Sequence, residues 1–147
     1  MLAAGAVAGA AVTGAVLAPT PASASTGSVH VHKIYYNSPG VDRRTNTSLN
    51  AEYVQIANTT GKSANLKGWT ITDASKHKYT FTTYTLGAHK TVTIHTGKGR
   101  NTAANRYQGR SAYVWNNDKD TATLRSSKGT KIDSCSYHST RVASIMC

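Results

Sequence analysis

Residues 50–73, NAEYVQIANTTGKSANLKGWTITD, contain two short runs of alternating apolar and polar residues joined by a polar, Gly-containing loop. Val54 and Ile56 fall on one face of the first run, Trp69 and Ile71 on one face of the second. Alternation with a period of two, bounded by Asn, Thr, Ser and Gly, predicts a pair of half-buried β-strands. Those four side chains are then core residues, and any function belongs on loops.

The pattern recurs along the chain. Residues 29–36 (VHVHKIYY) predict a first strand, with Val29 and Val31 on one side and Ile34 and Tyr36 on the other. The break in alternation near His32 and Lys33 predicts a bulge or a strand that changes sheets. Residues 37–50 are a loop with Pro39-Gly40, Asp42 and the pair Arg43-Arg44; residues 52–58 and 68–73 are the next two strands. Residues 78–82 (KYTFT) follow with Tyr79 and Phe81 on one face, then residues 91–96 with Val92 and Ile94 inward. Gly97 opens a long polar loop to Arg110, and strands are predicted at 111–115, 121–124 and 130–137, with turns at 116–120 and 127–129. After residue 24 there is no apolar stripe of 3.6-residue period long enough for a full helix. Seven or eight short strands with turn signals about every 8–12 residues predict an all-β, immunoglobulin-like β-sandwich.

The first 24 residues read differently. Met1 to Ala18 carries no charge and is nearly all Ala, Gly, Val and Leu; Pro19, Pro21 and Ala22-Ser23-Ala24 follow. An apolar stretch, a helix-breaking proline and an A-x-A site predict a secretory signal peptide cut after Ala24. Its basic leading segment is missing, since no Lys or Arg precedes Lys33, so the true start is expected upstream. A retained membrane anchor is the weaker reading, because the run is barely long enough to span and is built from small residues. The expected organisation is a removed signal at 1–24, a lead-in at 25–32 and the sandwich with its tail at 33–147, secreted and with no transmembrane segment in its mature form.

Composition sharpens this. The 147 residues include one Phe, eight Tyr and two Trp, enough for one modest core rather than two. The formal charge of +11 falls wholly outside the signal segment. A basic exported domain attracts polyanions such as cell-wall polymers or nucleic acid, although the same charge also serves solubility alone. Cys135 and Cys147 are the only cysteines. In an oxidising compartment they are expected to pair, closing a short loop worth about 2–3 kcal/mol and drawing the tail back onto the last strand.

A family resemblance follows from the order of these motifs. The AEYVQIAN strand, L-x-G-W in Leu66 to Trp69, a strand ending in Asp73, YTF at 79–81, V-x-I-H-T-G-K-G at 92–99 and VWNNDKDTATLRSSKGTKIDSCSY at 114–137 succeed one another. Together they resemble the lamin-tail domain family over residues 33–137, most of the mature chain. The resemblance implies a compact immunoglobulin-like sandwich acting as an interaction surface, with no catalytic residue to carry over; similar domains in exported bacterial proteins stand alone or beside hydrolases and nucleases.

The remaining residues offer little independent chemistry. His30 and His32 share a strand face but lack a third metal ligand nearby in sequence. Asn116-Asn117-Asp118-Lys119-Asp120 is rich in oxygen yet lacks the calcium-loop spacing and its distal Glu, and the same residues suit a turn. There is no G-x-S-x-G elbow, no P-loop spacing and no placed carboxylate pair among six acidic residues. The expectation is therefore no enzyme, no metal and no cofactor. Basic residues do cluster: Lys98, Arg100, Arg106 and Arg110 share the long loop with Tyr107, and Arg43 and Arg44 share the first. These seven are the candidate binding residues, able to grip phosphates and, through Tyr107, to stack on planar groups. The function expected is a secreted interaction module for a polyanion or an extracellular protein. The alternative is an accessory chain that assists a separate exported nuclease or hydrolase.

Overall fold

The computed structural model describes residues 27–147 and, apart from these, Gly14; the expected signal peptide otherwise lies outside the described residues. The chain runs β1 (Val29–Tyr35), α1 (Asn46–Asn50), β2 (Tyr53–Asn58), β3 (Ala64–Asn65), β4 (Thr70–Thr72), β5 (Lys78–Thr80), β6 (Thr85–Leu86), β7 (Thr91–His95), β8 (Asn105–Tyr107), β9 (Lys119–Arg125), β10 (Lys131–His138) and β11 (Ser144–Met146). Among the described residues the strands form a five-stranded sheet, β11-β1-β2-β7-β8, a four-stranded sheet, β10-β9-β4-β5, and a small β3-β6 ribbon. Val31, Ile34, Val54, Ile56, Val92 and Ile94 of the first sheet meet Ile71, Ala122, Leu124, Cys135 and Tyr137 of the second in one core. The architecture is an immunoglobulin-like β-sandwich, as expected.

β1 carries the predicted bulge: its register against β2 shifts between Val31 and Lys33. The bulge changes the expected sidedness. One extra residue at His32 resets the alternation, so Val31 before it and Ile34 and Tyr36 after it all point inward and are buried. β1 also begins at Val29, so the segment read as a lead-in contributes its last residues to the sheet.

The motif of residues 50–73 packs as its alternation requires. Val54, Ile56 and Ile71 are buried, and Trp69 is half-buried against them. Asn58 closes β2 by a polar network: its amide nitrogen donates to the carbonyls of Lys62, Leu86 and Gly87, and its Oδ1 accepts from the backbone N–H and hydroxyl of Thr60. Gly68 takes φ +78°, and a Cβ there would meet the Ser127 Cβ at 3.0 Å, so both backbone and space require glycine.

Several expectations are corrected. Residues 111–115 are not a strand. The N–H groups of Val114 and Trp115 donate instead to the Glu52 carboxylate, at 2.7 and 3.1 Å, which leaves them no ladder to join. The first loop contains the one-turn helix α1, capped by the Thr45 hydroxyl, which accepts from Ser48 N–H. The long loop after Gly97 contains β8, which pairs in parallel with β7. The tail does not fold back onto β10. Cys147 is disulfide-bonded to Cys135 of β10, but β11 hydrogen-bonds to β1, so the tail joins the opposite sheet and the disulfide links the two sheets.

Candidate functional site

The rim beside α1 is built around one buried acid. Glu52 is fully buried, and its Oε1 accepts from the Thr96 hydroxyl at 2.7 Å as well as from Val114 and Trp115. Burial pushes its carboxyl up from an ordinary 4.5 to about 7, because removing the charged form from water outweighs three hydrogen bonds to it. Glu52 thereby fixes the otherwise irregular segment before Trp115, whose outer part forms the wall of a cleft.

α1 places a second wall. Asn46 and Asn50 lie four apart on one helix face. Both amide nitrogens donate to the Lys98 carbonyl at 2.8 Å, and Asn46 Oδ1 accepts from Lys98 N–H at 2.7 Å. Gly97 makes this clamp sterically feasible, since a Cβ there would lie 2.6 Å from both Asn oxygens. The Lys98 backbone is held against α1 while its side chain stays exposed.

Two clefts result. One, of about 380 Å³, is lined by Arg44, Asn46, Leu49, Lys98, Arg110 and Ser111. The other, of about 480 Å³, is lined by His77, Arg110, Ser111, Tyr113 and the backbone between Gln108 and Ala112. They adjoin at Arg110 and Ser111, and neither is lined by a carboxylate among the described residues. Arg110 is oriented by its neighbours: Nε donates to Gln108 Oε1 at 3.1 Å and Nη2 to the Lys78 carbonyl at 3.2 Å. His77 is oriented by Asp73, whose Oδ2 lies 2.6 Å from Nδ1, while Asp73 Oδ1 accepts from His77 N–H and closes the β4–β5 turn.

The seven sequence candidates therefore separate. Arg44, Lys98 and Arg110 converge on one cleft. Arg43 and Arg100 are exposed but line neither. Arg106 turns inward, its guanidinium 4.3 Å from the Tyr84 ring centre, with Nε buried and lacking a hydrogen-bond partner among the described residues. Tyr107 stacks on His95, ring centres 4.9 Å apart, and Gly99 presses on its ring so closely that a Cβ there would come within 2.4 Å. One face of the ring is taken by His95 and Gly99 crowds the ring, so it is poorly placed as a platform for a ligand. His77 was missed, because the signal that marks it, an Asp closing a strand four residues before a His, reads in sequence as an ordinary turn.

The other sequence features resolve locally. His30 and His32 sit with ring centres 6.2 Å apart, and His30 Nδ1 pairs with the Ser28 hydroxyl. No group of three or more His, Cys, Asp or Glu that could hold a metal occurs among the described residues. In the turn at 116–120, Asp120 accepts from the N–H groups of Ala74, Asn116 and Thr121, so its carboxylate serves the backbone.

A two-sheet sandwich whose irregular rim carries the polar side chains defines the class: an immunoglobulin-like domain that presents loops. A lamin tail domain profile matches residues 22–139, and the chain belongs to the lamin tail domain family. The family is a structural, non-catalytic one. No curated protein matches the chain. No helix among the described residues is long and apolar enough to cross a membrane.

Proposed function

We propose that this chain is a secreted, non-catalytic binding module that holds a polyanion along the two adjoining clefts. The observation that carries the reading is the convergence of Arg44, Lys98 and Arg110 on one cleft, continued through Arg110 to His77, with no carboxylate on either lining. Cations that converge on a wall without carboxylates focus the field and raise the local concentration of an anionic chain. The net charge of +11 acts in the same direction. The apolar leader with its A-x-A site and the disulfide between Cys135 and Cys147 support export to an oxidising compartment.

The test compares two paired substitutions of equal charge in binding to heparin by calorimetry. Arg44→Ser with Lys98→Ser removes cleft cations; Arg43→Ser with Arg100→Ser removes exposed cations outside it. The first pair is expected to weaken binding about tenfold or more and to lower the slope of log K against log salt by about two, the second far less. Equal losses from the two pairs would make the attraction a property of net charge and sink the assignment.

A further inference from the structure

The cleft beside His77 differs from its neighbour in presenting an acceptor next to a cation. We propose that it is a site for a phosphodiester flanked by a free hydroxyl, the repeat of a polyol-phosphate chain, with Arg110 on the phosphate and His77 on the hydroxyl; this rests on the polyanion reading above and gives it a ligand class.

Asp73 orients His77 from behind. Its side chain is 1% exposed, and its Oδ2 lies 2.6 Å from His77 Nδ1. A carboxylate only accepts, so the ring proton sits on Nδ1. In its neutral form the imidazole then presents Nε2 as a lone pair, and Nε2 has no hydrogen-bond partner among the described residues. The His77 side chain is 44% exposed and lines the cleft. Arg110 lines the same cleft with its guanidinium already fixed by Gln108 and the Lys78 carbonyl, which leaves its remaining N–H donors for an anion. A fixed cationic fork and a fixed acceptor thus share a space of about 480 Å³.

A chain of sulfate esters or carboxylates with no hydroxyl beside them carries acceptor oxygens alone. It satisfies Arg110 and leaves Nε2 facing no donor. A phosphodiester with an adjacent hydroxyl supplies acceptors to Arg110 and a donor to His77 at once. RNA has the same pair of groups, but its recognition relies on stacked bases. The lining offers no ring beyond His77 and Tyr113, and the Tyr113 hydroxyl is tied to Ser48 at 2.5 Å. A chain without bases fits the lining better.

The experiment titrates the full secreted chain, at mildly alkaline pH and constant ionic strength, with four probes of matched charge. These are a glycerol-phosphate oligomer, the same oligomer lacking its hydroxyls (propanediol phosphate), a fully sulfated poly(vinyl sulfate) oligomer and single-stranded RNA. The glycerol-phosphate oligomer is expected to bind about tenfold more tightly than the propanediol or poly(vinyl sulfate) probes, the upper range of what one hydrogen bond contributes. His77→Ala is expected to abolish that preference while poly(vinyl sulfate) affinity stays within about twofold. The propanediol probe removes the hydroxyl from the ligand, so the test stands even where the substitution disturbs the turn. Equal binding of glycerol and propanediol phosphates overturns the site, and so does tighter binding of RNA. If the polyanions bind without preference, the role of His77 falls while the cleft reading survives; if none binds, both fall.

Discussion

Glu52 shows how one residue can set a structure that no periodicity predicts. It opens the run read as a strand at 52–58, on the face of Val54 and Ile56, and alternation says nothing of the distant segment it holds. In the fold its carboxylate replaces the missing partner strand for residues 114 and 115. Its raised pKa makes stability depend on pH with a definite sign. The folded state keeps the proton to about 7, while the unfolded chain releases it near 4.5. Between those values the fold binds more protons, so the contribution is full below 4.5 and is lost as pH rises through 7, by about 3 kcal/mol in all. Glu52→Gln cannot ionise and should flatten this part of the profile. Urea melts of both proteins from pH 5 to pH 8 check it: the stability of the wild type relative to the variant should fall as pH rises, and a constant difference would show that Glu52 does not titrate in that window. Asn58 is the counterexample, a residue that sequence does mark, because a strand closed by Asn is itself a turn signal.

Short elements depend on their partners more than on their own residues. The strands with clear alternation, β2, β4, β7 and β9, were legible because half of each is buried in the core. β3, β6, β8 and β11 have two or three residues each and no period to read. They exist because neighbouring strands supply their hydrogen bonds. β11 illustrates this, since it is held at one end by pairing to β1 and at the other by the bond from Cys147 to Cys135, whose Cα atoms lie 5.8 Å apart. Opening that bond, by reduction or by Cys135→Ser with Cys147→Ser, should cost about 3 kcal/mol of unfolding free energy. Amide exchange at residues 144–146 should rise in native conditions before the rest of the fold opens. Protection at β11 that survives reduction would mean that pairing with β1 suffices without the staple.

At the scale of the molecule, charge and topology act together. The excess of cations is spread over the sequence, but the fold brings Arg44 of the first loop to Lys98 and Arg110 of the loop after Gly97. Long-range attraction from the whole charge sets the encounter rate, and the cleft sets how long a ligand stays. Association with heparin, followed by stopped flow, should therefore slow steeply as salt rises, whereas dissociation should respond chiefly to the Arg44 and Lys98 substitutions. An association rate indifferent to salt would remove steering from the account. Sequence alone determined the all-β class, most core positions, a break in the alternation of β1, the cysteine pair and the kinship with lamin tail domains, because each is written in local alternation, turn residues or motif order. Tertiary structure decided which basic residues share a surface. Arg106 and Tyr107 are consumed by Tyr84, His95 and Gly99, and His77 is recruited through Asp73. The physical reason is that a loop side chain takes its direction from whatever it meets across the fold, and no local pattern encodes that meeting.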